Sequence, residues 1–295
     1  MNMKMTLAAV AAVALLLLAG CKQQAEGGPL EVSTYTAQDS TRYAFTEIEL
    51  DYPTGGPAVL VDSIRKWMDE TLGGTYGGDM EDGQALVNFY QKLSDDELKS
   101  EWEELRAEME VDKDDPEGDG MFSIPSEDHT SLKMDWQNDF FVTYNHSFSV
   151  YSTGAAHGLE GNFGTTFLKE DGSRVTWNDI VGADTDDFQA LLREGLKSYF
   201  DVETDEELAE QLFLYDDHTL YNIPLPNMEP CVRAEGIEFY YSEYEIASYS
   251  SGTPSFIVPV DRIRTLLSER LQHIFDQYPA EAGGNSKMTH RTEPF

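Results

Sequence analysis

The residue with the plainest chemistry is Cys21. It follows Leu18-Ala19-Gly20, and ahead of these lie Lys4 and the apolar run Leu7 to Leu18. Small residues before a cysteine open the backbone to a peptidase, and the thiol is the nucleophile that takes up a diacylglyceryl group. Residues 1–20 are therefore read as a lipoprotein signal peptide and Cys21 as the lipidation site. The apolar run is well short of the roughly 20 residues that cross a bilayer as a helix. Two or three acyl chains, each buried methylene contributing about 0.8 kcal/mol, hold a protein on a membrane far better than one. The expectation is a lipid anchor in the bacterial cell envelope. Lys22, not an acidic residue, follows the cysteine, a sorting pattern that favours the outer membrane.

Catalytic constellations are otherwise sparse. The chain has no G-x-S-x-G, H-E-x-x-H, phosphate-binding loop or C-x-x-C. Ser63 and Lys66 have the S-x-x-K spacing of penicillin-recognising enzymes, but both lie off the apolar stripe of their helix and no K-T-G follows, so the match is read as coincidence. With 55 carboxylates, no acid–base pair can be singled out. Asp112 to Gly120 resembles a calcium loop only superficially: Pro116 occupies a ligand position and no glutamate closes twelve residues, so it is read as a solvated acidic turn. No catalytic residue, metal site or cofactor is assigned. His146 lies on the apolar face of a strand and is read as a hydrogen-bonded structural histidine. His157 sits in the turn Gly154-Ala155-Ala156-His157-Gly158, where an imidazole either fixes the turn or is presented to solvent. Phe239, Tyr240, Tyr241, Tyr244 and Tyr249 are mostly core, but strand alternation puts Tyr240 opposite its neighbours and so exposes part of the set. The candidate binding residues are Gly154, His157, Gly158, Tyr240, Tyr244 and Tyr249.

These residues need a scaffold, and hydrophobic periodicity supplies one. A strand is expected from Tyr43 to Tyr52 and a helix from Pro57 to Leu72, with Leu60, Val61, Ile64, Trp67, Met68 and Leu72 on one face. Leu86, Phe89, Tyr90 and Leu93 form one helical stripe and Leu98, Trp102, Leu105 and Met109 another. Ser94-Asp95-Asp96-Glu97 between them has capping-box spacing, which predicts two helices or one broken at Ser94. Phe140 to Tyr151 alternates strictly and predicts a long antiparallel strand, resumed after the glycine turn by Asn162 to Leu168 and a hairpin through Glu170-Asp171-Gly172. Two helices follow, one lined by Phe188, Leu191, Leu192, Leu196 and Tyr199 and one capped by Thr204. Cys231 to Ala234 pairs with Ile237 to Tyr241, Ser255 to Val258 is extended, and Ile263 to Phe275 is a terminal amphipathic helix. The fold class is α+β with mainly antiparallel sheet. Residues 21–42 are expected to be tether and entry segment, 43–138 an N-terminal part with acidic helices, 139–278 a C-terminal domain and 279–295 a disordered tail. Once Cys21 is acylated, Cys231 has no partner, so the fold rests on its core and not on disulfides.

The formal charge of the chain is −35. Sixteen acidic against four basic side chains fall between Asp79 and Asp119 alone. Such a surface repels nucleic acid and anionic membranes and attracts cationic partners.

The segment Phe239 to Val258, with Tyr244-Glu245-Ile246-Ala247, Tyr249, Gly252, Pro254 and Phe256, resembles the extracytoplasmic domain family of the lysozyme-sensing anti-sigma factor RsiV. Related domains precede the catalytic domain of the peptidoglycan deacetylase PdaC. The Gly154 to Gly158 turn is similar to a Gly-Gly-Ala-His-like turn of the same family. The resemblance spans roughly Tyr43 to Tyr278. It implies an RsiV-like fold suited to binding, with lysozyme as a possible partner. Sigma-factor regulation and deacetylation are not implied, because the anti-sigma segment and the H-x-x-x-H spacing are missing. The first expectation is thus a non-enzymatic envelope lipoprotein that binds a cationic protein such as lysozyme or a cell-wall glycan (peptidoglycan). An enzyme acting on envelope glycan and a purely structural lipoprotein are the alternatives.

Overall fold

The computed structural model describes residues 28–111, 120–214, 219–277 and 288. Residues 1–20, read above as a signal peptide, Cys21, and Asp112 to Asp119, read above as an acidic turn, lie outside the described residues.

The expected α+β architecture is present, as two sheets with helices packed on them. Five strands form the larger sheet in chain order: β1 (Glu31–Ser40), β2 (Ala44–Gly55), β3 (Ser126–Gln137), β4 (Phe141–Tyr151) and β5 (Leu159–Leu168). All neighbours are antiparallel except β2 and β3, which run parallel. Parallel neighbours need a crossover, and α1 (Ala58–Thr71) and α2 (Gly83–Glu108) supply it. Strand alternation sends Ile48, Leu50 and Tyr52 of β2 to the face covered by these helices. There they join Leu60, Ile64, Trp67, Met68, Leu86 and Tyr90 in one core. The opposite residues, Glu47 and Glu49, are left on the other face.

The smaller sheet comprises β6 (Cys231–Val232), β7 (Gly236–Tyr240) and β8 (Ser255–Pro259), all antiparallel. A second core joins it to α3 (Asp186–Phe200), α4 (Asp205–Gln211), α5 (Val260–Ile263) and α6 (Glu269–Gln277) through Phe188, Leu192, Leu196, Phe239, Phe256, Ile263 and Leu271. Thr204 caps α4 with a full capping box, as its spacing predicts.

Several expectations are corrected. The expected entry segment is itself part of the fold, as it contains β1, an edge strand whose Val32, Tyr35 and Ala37 cover the flank of the first core. Within the acidic stretch, Gly83–Glu108 form one unbroken helix, because Ser94 falls in step with Leu86, Tyr90, Leu98 and Trp102 and faces the sheet. Its hydroxyl donates to Asp128 at 2.5 Å instead of capping a new helix. Phe89 and Met109, placed on the expected stripes, are exposed. The terminal helix is interrupted between α5 and α6. Ser268 donates through its backbone N to Asp179 O at 2.8 Å and through Oγ to Asp179 Oδ1 at 2.9 Å, and its own Oγ receives Leu271 N. Arg270 locks the same carboxylate from the first turn of α6. The tail expected at 279–295 lies outside the described residues except for Met288, which is buried in the second core. β3 and β4 lie on either side of the 138/139 boundary and pair in one sheet. Among the described residues, no helix is long and apolar enough to cross a membrane.

Candidate binding groove

Register determines what the uncovered face of the large sheet presents. Glu47 of β2 pairs with His129 of β3, His129 with Ser149 of β4, and Ser149 with Glu160 of β5. Two residues along, Glu49, Ser131, Ser147 and Asn162 form a second row. Both rows are polar, and both line an open groove of about 1330 Å³ whose other wall is the small sheet, through Glu238, Tyr240, Ser255 and Ile257. Trp136, Phe148 and Tyr199 add aromatic surface.

The small sheet can cross the large one because Gly164 has no side chain. A Cβ there would lie 2.1 Å from Cys231 Sγ and 2.6 Å from Arg233 Nη2. Where β6 crosses, its polar backbone is fully answered. Val232 O accepts from Thr143 Oγ1 at 2.9 Å and Trp136 Nε1 at 3.3 Å, while Val232 N donates to Thr166 Oγ1 at 2.9 Å. The thiol of Cys231 is buried, which pushes it up to about 11 and makes it unreactive.

Arg233 bolts the two sheets at the base of the groove. Its Nε donates to Glu238 Oε2 at 2.6 Å, and its Nη1 to Asp135 Oδ2 at 2.7 Å and Asn145 Oδ1 at 2.8 Å. The side chain is 3% exposed. Burial opposes its charge, but the Glu238 and Asp135 carboxylates more than offset that and hold the guanidinium protonated.

The groove carries six carboxylates: Glu47, Glu49, Asp135, Glu160, Glu235 and Glu238. Arg233 answers Asp135 and Glu238, and Lys133 answers Glu49. Among the described residues no lysine or arginine answers Glu47, Glu160 or Glu235. His129 Nδ1 stands 3.4 Å from Glu47. No three His, Cys, Asp or Glu side chains among the described residues converge as a metal site would require.

The residues singled out by sequence cluster beside this groove. Gly154 turns the β4–β5 hairpin at φ +83°, and Gly158 approaches Val150 O so closely that a Cβ would sit 2.8 Å from it. His157 Nδ1 bonds Gly158 O at 2.9 Å, the turn-fixing contact expected of it. The same ring also stacks on Tyr249, with centroids 4.0 Å apart and planes 27° apart, and its Nε2 lies 3.3 Å from Tyr244 Oη. Tyr244 and Tyr249 sit on the loop between β7 and β8, so the structure brings together two segments far apart in sequence. Tyr240 differs from expectation: it is 7% exposed, because the large sheet covers that side of β7. It packs edge-on against Phe163 at 4.8 Å and accepts from Asn162 N, while its rim still lines the groove. Burial pushes its hydroxyl up to about 12. His146 is also corrected. Its imidazole packs against Phe148 and Phe163, centroids 5.5 and 5.8 Å away, and forms no hydrogen bond among the described residues.

Sequence reasoning passed over Glu47, Glu49, His129, Glu160 and Arg233. A signal existed for the first two, which alternate with Ile48 and Leu50, and in the odd positions Asn145, Ser147 and Ser149 of β4. Nothing local marked Arg233.

Comparison with known proteins agrees with this architecture. The chain superposes on the crystal structure of a DUF3298-family member from Bacteroides fragilis with a TM-score of 0.65 at 19% identity, covering 82% of this chain and 95% of that one. A DUF3298-family protein from Pseudomonas aeruginosa gives 0.51 at 14% identity, covering 83% and 97%. At those identities the likeness is one of fold. No curated protein matches. Residues 178–261, which include Arg233, Glu238, Tyr244 and Tyr249, match the family described as Protein of unknown function (DUF3298). The chain thus carries a DUF3298 segment on a fold shared with two solved DUF3298 proteins.

Proposed function

We propose that this protein is a lipid-anchored receptor of the bacterial envelope that binds a cationic protein in the groove between its two sheets, without turning it over. The observation that carries the reading is the pair of polar rows in register across four strands, with Glu47, Glu160 and Glu235 unanswered by any described lysine or arginine. An acidic concavity focuses the field that the net charge of −35 produces, and so draws and orients a basic partner. The open shape suits a protruding loop or strand better than an enclosed small molecule. The resemblance to lysozyme-sensing RsiV-like domains names lysozyme, often a cationic protein, as the candidate. Anchoring through Cys21, with the outer membrane favoured by Lys22, rests on the signal-peptide pattern.

A glycan is the second reading, supported by Trp136, Tyr199 and Tyr240 along the groove. The two are separated by titrating the Lys22–Phe295 chain with lysozyme at about 0.15 M salt, where exposed charges are substantially screened. A saturable one-to-one complex is expected, weakened at least about tenfold by Glu47→Gln, Glu160→Gln and Glu235→Gln together. Glu101→Gln, Glu104→Gln and Glu108→Gln on α2 should change it little. Absence of saturable binding to lysozyme, with binding of peptidoglycan fragments, would replace the first reading by the second.

A further inference from the structure

Beside the groove lies a group of rings with an unusual degree of exposure. His157, Tyr244 and Tyr249 lie within 32° of parallel to one another, with centroid separations of 4.0, 5.7 and 6.4 Å. Tyr244 is 52% exposed, whereas Phe239, Tyr240 and Tyr241 nearby are buried. Tyr244 is also held at φ +62°, a region that non-glycine residues rarely occupy, and this turns its ring onto the other two.

Behind the rings stand Glu243 and Glu160. Glu243 Oε2 is buried and accepts no hydrogen bond among the described residues. Partial burial and the neighbouring Glu160 hold the Glu243 carboxyl above its usual range, while His157 pulls the other way. No described lysine or arginine pairs with either glutamate. Among the described residues the chain has thus built parallel π faces and a pair of carboxylates in one place and supplied no lysine or arginine to them. Elsewhere it does supply one: Arg42 and Arg106 cover Trp102, Arg65 covers Tyr52 and Arg193 covers Tyr221.

Resting on the groove reading above, we propose that His157, Tyr244 and Tyr249, with Glu243 and Glu160, form a subsite for an arginine side chain of the partner. A guanidinium is planar, so it can lie flat on Tyr244 and Tyr249 while its edge N–H groups turn toward the carboxylates. A lysine ammonium matches the charge but not the plane. Glu160 also lines the groove, which makes the subsite continuous with it.

The test uses the full chain in non-ionic detergent and three fluorescent pentapeptides that differ only in a central arginine, lysine or citrulline. The arginine peptide should bind about tenfold more tightly than the lysine peptide, and citrulline should bind least. Tyr244→Ala with Tyr249→Ala should abolish the arginine preference. Tyr249→Phe should keep it, and Glu243→Gln should narrow the gap between arginine and citrulline at least threefold, so two shape-preserving variants remain informative if the alanine pair fails to fold. Equal affinity for arginine and lysine, both lost on changing Glu47 and Glu235 to Gln, overturns the subsite and leaves the groove standing. Arginine preference that survives those two changes supports the rings and overturns the groove reading. Binding of no peptide overturns both.

Discussion

His146 offers the clearest measurable consequence of the packing. Its ring lies against Phe148 and Phe163, and burial lowers its pKa from 6.5 to about 4. In the unfolded chain the imidazole titrates near 6.5; in the folded chain it stays neutral until about pH 4. Between those values the unfolded state binds more protons, so stability rises with pH through that window and is lost as pH falls through it. Above pH 6.5 the contribution is complete. The shift corresponds to about 3 kcal/mol at most, at about 1.36 kcal/mol per unit. The chain's many carboxylates also titrate below pH 5, and their effect must be removed. His146→Leu does that, since the variant shares every other group. Urea unfolding of both proteins at half-unit intervals from pH 8 to pH 4 gives two stability curves, and their difference isolates the imidazole. The wild type should lose about 3 kcal/mol relative to the variant across this range, nearly all of it below pH 6.5. A difference curve that is flat with pH would mean that the ring is hydrated or paired in the folded state, and the burial argument would be wrong.

Removing the Arg233 guanidinium by Arg233→Met leaves Glu238 and Asp135 without their cation and should cost about 3–5 kcal/mol of stability in urea melts. Adding Glu238→Leu should restore a large part of that, and no restoration would show that the ion pair is not what joins the sheets. Gly164→Ala drives a methyl into Cys231 and Arg233 and should cost at least about 1–3 kcal/mol; a variant as stable as wild type in thermal melts would mean that β6 can lift off the sheet without penalty. Cys21→Ser should leave an unacylated precursor, scored by mass and by palmitate labelling, and a serine variant that matures and partitions with membranes would refute the lipidation site.

Where one face of an element is buried and the other wet, the sequence is legible. Phe45 to Tyr52 and Leu60 to Met68 appear as expected because a single partner covers a single face, and Thr204 caps its helix as its spacing predicts. The long strand after Phe140 is present too, but Phe141 to Tyr144 are buried on both faces, because helices cover one and the small sheet the other. Legibility fails where burial is incomplete. β1 has a mostly exposed pattern because it is an edge strand, and β3 buries only Ser126 and Leu132 among its twelve residues, so neither shows a period of two. Hydroxyls mislead for a related reason. Ser94 faces the sheet and caps nothing, whereas Ser268 accepts from Leu271 N of its own helix and is held by Asp179, far away in sequence. The groove was hidden in the same way. Its rows alternate plainly in β2 and in the odd positions of β4, but their alignment depends on register, and the bolt between them joins Arg233 to Asp135 and Asn145. His157 and Tyr249 were each conspicuous alone, by glycine flanking and by aromatic density, and only the crossing of the two sheets makes them one site.

The single parallel pair in the sheet also sets the order in which the protein can be assembled. Phe45 must find Glu127, and Leu50 must find Leu132, with both crossover helices threaded between them. A chain emerging from the ribosome can close the β1–β2 hairpin early and begin to wind α1 and α2. The centre of its sheet, however, cannot exist before Ser126–Gln137 arrives, and pairings of such long range form slowly. Until then one edge of β2 is bare and the first core lacks a wall, which makes the early chain prone to aggregation if it lingers and easy to hold open if something binds it. On the proposed reading as an exported lipoprotein, that delay is useful: the half made first stays loose enough to be threaded through a channel, and the fold closes only once the second half has followed it.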